Sequence, residues 1–261
     1  MELVPLGSAE EIAVVVADIV ERAVRQRPAA VLGLATGSTP LPAYQELIRR
    51  HRAGTGPSWD EVTTFNLDEY VGLPAGHEQS YLATIRRELT DALGLDPARV
   101  HGPDPDEAGL PTAGERYEAA ITAAGGVDLQ ILGIGTNGHL AFNEQGSSLA
   151  SPTRIKTLTV QTRQDNARFF GSAREVPQHV LTQGIGTILR ARHLVLIATG
   201  VGKADAVAAA VEGPVSASCP ASVLQLHPHA TVLVDGAAVG RLRRLDYYAE
   251  VYAAKPHWQA H

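Results

Sequence analysis

Residues 131–144 read ILGIGTNGHLAFNE, an apolar run that breaks into glycines and then presents His139 and Glu144. An imidazole titrates near neutrality and can both give and take a proton at pH 7. A carboxylate that turns back onto it holds the ring and fixes its tautomer. Glycines 133, 135 and 138 permit close backbone approach to a ligand. Asn137 stands beside the histidine and offers hydrogen bonds but no charge. No further ligand lies nearby at a usual zinc or iron spacing, so a metal is not expected. A histidine satisfied at an interface is the alternative.

Four more stretches carry chemistry. In FNLDEYVGL, Asp68 and Glu69 have no basic neighbour in sequence. A buried acid there needs a partner or a raised pKa, and either makes a base; a solvated loop is the alternative. ATGSTP places Gly37, Ser38 and Thr39 before Pro40, an arrangement of N–H and hydroxyl donors suited to an anion, or a plain capped turn. TGVGK brings Lys203 to a helix start, as a phosphate contact or a solvent-facing lysine; a Schiff-base role competes, but a glycine-flanked helix start suits an anion better. Arg154 and Lys156 lie two apart on an expected strand, hence on one face, with Ser147 and Ser148 just before them. They can hold a second anion or form a solvated face. Arg168, in DNARFF, is ambiguous by itself.

The elements that must position these groups follow from hydrophobic periodicity. Strands are expected over 30–35, 62–67, 127–135, 154–160, 193–199 and 230–235, runs rich in Val, Ile, Leu and Thr bounded by turn residues. A capping box at Ser8–Glu11 opens a helix to about residue 25. Helical patterns follow over 41–51, 77–93, 112–124, 163–170, 184–192 and 203–211. The alternation predicts an α/β fold: one domain over 1–261, mostly parallel, with helices on both faces and a mobile segment about 150–182. Ligands of such sheets bind beyond the carboxyl ends of strands, where the groups above fall.

Composition narrows the class. With 44% hydrophobic and 19% charged residues, the chain has the makeup of an ordinary globular protein. A net charge of −6 argues against nucleic acid or an anionic membrane as partner. Cys219 is the single cysteine, so no intrachain disulfide forms, and it reads as a buried inert thiol. The N-terminal stretch is acidic where a signal peptide is basic, and no apolar run has the length of a membrane span. A cytoplasmic location is expected. Of 22 cationic side chains only Lys156, Lys203 and Lys255 are lysines, which draws attention to Lys203 in its loop.

Together the motifs resemble the glucosamine-6-phosphate deaminase (glucosamine-6-phosphate isomerase) family nearly end to end. The resemblance rests on LGLATGSTP, VTTFNLDEYVGLP, HEQSYLA, LGIGTNGHLAFNEQGSSLASPTRIKTLT, DNARFF, VPQHVLTQGIGTIL and AVEGPVSASCPASVLQLHPHATVLVD. The related 6-phosphogluconolactonases tend to have Asp-Glu-Arg where this chain has Asp68-Glu69-Tyr70. After the glycine–histidine they tend to have Thr-Ala-Ser-Leu-Phe, where this chain has Leu-Ala-Phe-Asn-Glu.

The resemblance implies a modified Rossmann-like fold without a dinucleotide, and a reaction that needs no cofactor. Glucosamine 6-phosphate and water would give fructose 6-phosphate and ammonia. Gly37, Ser38, Thr39, Arg168 and Lys203 would hold the phosphate. Asp68 would be the base at C2, and His139, oriented by Glu144, would assist ring opening. Better-known bacterial members have an aspartate where this chain has Asn137, so Glu144 is the one carboxylate of that local set. Ser147, Ser148, Arg154 and Lys156, with Tyr247, match an allosteric site for N-acetylglucosamine 6-phosphate at a subunit interface. A homo-oligomer, hexameric or smaller, is implied. A lactonase-like phosphosugar hydrolase and a non-catalytic phosphosugar-binding regulator are the alternatives.

Overall fold

Seven short strands build one sheet in which every pairing is parallel. The computed structural model describes residues 1–74, 76–256 and 259, without the side chains of residues 107, 161 and 165; the last four residues of the expected domain other than 259 lie outside it. In chain order the elements are β1 (Glu2–Pro5), α1 (Ala9–Gln26), β2 (Val31–Leu34), α2 (Leu41–Arg52), β3 (Thr63–Asn66), β4 (Asp68–Tyr70), α3 (Tyr81–Ile85), β5 (Val100–His101), α4 (Leu110–Ala123) and β6 (Leu129–Gly133). There follow β7 (Arg154–Thr157), α5 (Val160–Asn166), β8 (His179–Thr182), α6 (Ile185–Ile188), β9 (His193–Ala198), α7 (Ala204–Glu212), β10 (Ala230–Val234) and α8 (Leu245–Ala253).

The large sheet runs β1-β10-β9-β6-β2-β3-β5. Every residue of β2, β9 and β10 is buried. That is the signature of strands covered by helices on both faces, and it explains their nearly continuous apolar sequences. From β2 the chain steps outward to β3 and β5, then returns to the other side of β2 with β6.

A second, antiparallel sheet, β4-β8-β7, continues from the first through one residue. Leu67 N–H donates to Leu34 O at 3.2 Å, and Leu67 O accepts from Gln183 N at 2.7 Å. Leu67 thus ends one sheet and starts the other, and Asp68 stands at the junction.

Local chemistry sets the boundaries. Ser8 Oγ caps the first turn of α1 by accepting from Glu11 N at 3.2 Å, while Glu11 accepts from Gly7 N at 2.7 Å. The strand expected over 154–160 stops at Thr157, because Thr159 accepts from Thr162 N and opens α5 there. The helix expected over 77–93 starts at Tyr81 and passes into a π turn, Arg86–Thr90. The helix expected over 184–192 shrinks to Ile185–Ile188. β1, β4, β5, β8 and α8 were not expected from the sequence; the strands among them have two to four residues, too few for a period. No helix among the described residues is long and apolar enough to cross a membrane.

Candidate active site

Adjacent carboxylates on β4 have opposite surroundings. Glu69 is 3% exposed and fully engaged. Its carboxylate accepts from Tyr70 N, Tyr81 N and Leu82 N, each at 2.9 Å, and from Ser80 Oγ at 2.7 Å. It caps the start of α3, which is a structural duty. Asp68 is 7% exposed, and among the described residues no hydrogen bond or ion pair reaches its carboxylate. Burial, and then the neighbouring charge of Glu69, push it up to about 8. Of the two acids, only Asp68 is left available to move a proton. Tyr70, Tyr81 and Phe142 pack against one another with ring centres 4.8–6.2 Å apart, an aromatic wall in the same neighbourhood.

The loop after β6 presents His139. A Cβ on Gly135 would lie 2.2 Å from the His139 ring, so only glycine lets the imidazole cross the backbone there. Gly138 has φ +84° and faces Cys219, whose sulfur would be 2.5 Å from an added Cβ. A tight turn follows, closed by Asn143 N to Leu140 O at 3.0 Å, with Ala141 at φ 49°. Alanine in that region is strained, as is common where a loop is shaped for function. The turn docks on the end of β8: Phe142 N donates to Thr182 Oγ1 at 3.3 Å and Asn143 Nδ2 to Gln183 O at 2.8 Å. Thr182 is also the register partner of Asp68. The end of β8 thereby joins the Asp68 junction to the histidine loop.

Asn137 sits between His139 and Glu144. Its Nδ2 donates to Glu144 Oε2 at 2.8 Å, and its Oδ1 lies 2.7 Å from His139 Nδ1. The imidazole and the carboxylate themselves are 3.5 Å apart, beyond a good hydrogen bond. Thr162 Oγ1 donates to the other oxygen, Glu144 Oε1, at 2.8 Å. The nearby His139, with the bonds from Asn137 and Thr162, outweighs half-burial and holds Glu144 down at about 2. An ionised carboxylate only accepts, so the Asn137 amide must face it with its NH₂ group. Its carbonyl then faces the ring, which puts the proton on Nδ1 and leaves Nε2 free to take one. A neutral amide thus stands between the ring and the carboxylate that the sequence suggested would meet directly.

Two of the anion candidates follow β2 and β9, the strands on either side of β6, and the third follows α5. Gly37, Ser38 and Thr39 form the turn between β2 and α2. Among the described residues their N–H groups and both hydroxyls make no hydrogen bond, and α2 has no side-chain cap. Lys203 ends a 3-10 turn after β9. Burial and then the charge of Arg168 lower its pKa. Arg168 follows α5, its guanidinium 4.8 Å from the Phe169 ring centre. Among the described residues neither cation has a carboxylate partner. An anion between them would relieve their repulsion.

On β7, Arg154 and Lys156 take the half-buried face while Ile155 and Thr157 are exposed. Burial lowers the Arg154 pKa, and its guanidinium reaches Pro152 O at 3.3 Å. Ser147 Oγ is buried and has no partner among the described residues, whereas Ser148 is exposed. Tyr247 is not brought to this set: it is 60% exposed, packs edge-on against Tyr248, and rides on α8, which packs on β1 at the far edge of the large sheet. Cys219 is buried, and burial raises its thiol pKa. Thr162 was not singled out in the sequence. It lies 18 residues from Glu144, with no local pattern linking them.

Fold and site are those of an α/β acid–base enzyme handling a small anionic molecule. A family model described as glucosamine-6-phosphate isomerases/6-phosphogluconolactonase matches residues 7–233, and the chain belongs to this family. It is 59% identical to a glucosamine-6-phosphate deaminase of Pseudarthrobacter chlorophenolicus, over 99% of both chains. The solved structure of a monomeric glucosamine-6-phosphate deaminase matches with a TM-score of 0.89 and 40% identity, covering 92% of this chain and all of that one. A 6-phosphogluconolactonase from Trypanosoma cruzi matches at 0.75 with 20% identity, covering 93% of this chain and 97% of that one, a likeness of fold alone.

Proposed function

We infer that the chain catalyses the isomerisation and deamination of glucosamine 6-phosphate, with water, to fructose 6-phosphate and ammonia. The observation that carries this reading is Asp68: buried, its carboxylate without a hydrogen-bond partner among the described residues, and raised to about 8. Such a carboxylate is matched to taking a proton from carbon near neutral pH. Lactone hydrolysis has no carbon acid to serve.

The phosphate is the handle. Gly37, Ser38, Thr39, Arg168 and Lys203 bind it and orient a sugar with little apolar surface. His139 Nε2 takes the O1 proton and returns one to O5 as the ring opens. Asn137 and Glu144 hold the imidazole in the tautomer that permits this. Asp68 then moves the C2 proton to C1, and hydrolysis of the resulting C2 imine releases ammonia. Segment 150–182 acts as a lid over the site. A charged sugar phosphate stays inside the cell, and the reaction belongs in the cytoplasm.

Arg154, Lys156, Ser147 and Ser148 form a second anion site, for N-acetylglucosamine 6-phosphate. The half-buried cations and the orphaned Ser147 hydroxyl support it. Tyr247 reaches this set only from a neighbouring copy, in a homo-oligomer.

The test is a coupled assay of ammonia and fructose 6-phosphate from glucosamine 6-phosphate, with 6-phosphogluconolactone as control and N-acetylglucosamine 6-phosphate as an added arm. Stoichiometric ammonia and ketose, without lactonase turnover, is the expected result. Lactone hydrolysis without ammonia would overturn the reading. A flat response to the acetylated sugar would remove the second site and leave the reaction.

A further inference from the structure

We propose that Thr162 is a positioning residue that couples capture of the substrate phosphate to the carboxylate behind the ring-opening histidine. The proposal rests on the roles given above to Glu144, His139 and Arg168.

Glu144 is held from two directions. Asn137, in its own loop, binds Oε2, and Thr162, on a different element, binds Oε1. The hydroxyl chain has one direction. Thr162 spends its single proton on the ionised Glu144, so Thr159 Oγ1, 2.9 Å away, must donate to Thr162. Thr159 also accepts from Thr162 N at 3.1 Å and is the N-cap of α5. The cap uses the Thr162 backbone, not its hydroxyl, so helix formation leaves that hydroxyl free for Glu144.

The same short helix runs directly into the 3-10 turn that carries Arg168. Arg163, one residue beyond Thr162, donates to Val176 O at 3.2 Å and Ala173 O at 2.8 Å, which ties the start of the segment to its return. The segment also borders a cavity of about 720 Å³ shared with residues 71–74 and 77–79, room into which it can shift as a piece. When Arg168 settles on a phosphate beside Lys203, α5 moves with it, and Thr162 carries that movement to Glu144. Phosphate binding is thereby felt at His139 through one hydroxyl.

The experiment compares Thr162→Val, Thr162→Ser and Glu144→Gln, singly and with T162V and E144Q combined, in the ammonia assay across pH. Valine keeps the shape and the backbone cap and removes only the hydroxyl. T162V should lower kcat by about tenfold, the scale of one hydrogen bond to a charged group, with KM changed by less than about twofold. The Glu144 carboxyl, followed by ¹³C NMR in the intact protein, should show a titration profile moved to higher pH in T162V, because it loses a donor. T162S should restore both. In the E144Q background T162V should add less than about a twofold loss, since the coupling partner is gone. Wild-type kcat and an unmoved profile for T162V, with E144Q impaired, would overturn the proposal and leave the ring-opening role standing. If E144Q also turns over normally, the role of Glu144 falls and the proposal falls with it. A T162V loss that persists undiminished in E144Q would mean a structural effect, and would overturn it too.

Discussion

Asp68 and Glu144 are both carboxylates of the candidate site, and their surroundings drive them apart. Asp68 is buried, its carboxylate has no hydrogen bond among the described residues, and it lies next to the charge of Glu69, so it rises to about 8. Glu144 has His139 beside it and two donors, Asn137 and Thr162, and falls to about 2. The first is poised to exchange a proton near neutral pH; the second stays ionised and orients. Two groups of one chemical type acquire two duties through desolvation on one side and donors on the other. Glu69 sharpens the point. It is as buried as Asp68, yet four donors engage it, and it caps a helix.

The largest effect should come from exchanging the two environments' occupants for amides. Asp68→Asn should cut turnover by about 10²–10⁴-fold, the usual contribution of a general base, while phosphosugar binding persists. The stability effects should have opposite signs. A carboxyl raised in the folded state contributes stability below its unfolded pKa and loses it as pH rises through about 8. D68N should therefore melt above the parent at pH 9, with an advantage that grows between pH 4 and 8. A carboxyl lowered in the folded state contributes stability above its unfolded pKa and loses it as pH falls toward about 2. Glu144→Gln should melt below the parent at neutral pH, by a margin that narrows on acidification. Thermal melts of both variants across pH check this; shifts of the same sign at pH 9 would break the contrast.

A smaller effect is expected from Asn137→Asp. It would put a second carboxylate oxygen within 2.8 Å of Glu144 Oε2, where like charges cannot both remain ionised. One must bind a proton, so a new ionisation should enter the acidic limb of the pH–rate curve. Superimposable curves for the two forms would show that position 137 does not tune His139.

Much of this architecture is legible in the sequence because burial on both faces leaves nearly continuous apolar runs. That holds for β2, β6, β9 and β10, whose expected positions overlap those observed. It fails for β4, three polar-looking residues Asp-Glu-Tyr that pair only because Leu67 hands the chain from one sheet to the other. The β-branched and apolar residues 158–160 look like strand, but the Thr159 cap turns them into helix. Around the site, His139, Glu144, Asp68 and the donor loops stand out by type and spacing. The division of labour between Asp68 and Glu69 does not, since it depends on where the start of α3 falls in space. Nor does the amide bridge of Asn137, because the 3.5 Å gap between ring and carboxylate is a distance no sequence pattern encodes. Thr162 is hidden for the same reason.

The titration of Asp68 tests the account most directly. Aspartate labelled with ¹³C at the carboxyl, followed by NMR in the intact protein without substrate, gives its pKa, and D68N assigns the signal. The account predicts a carboxyl titrating near 8 that disappears in D68N. An Asp68 signal titrating near the ordinary value of about 4 would contradict it.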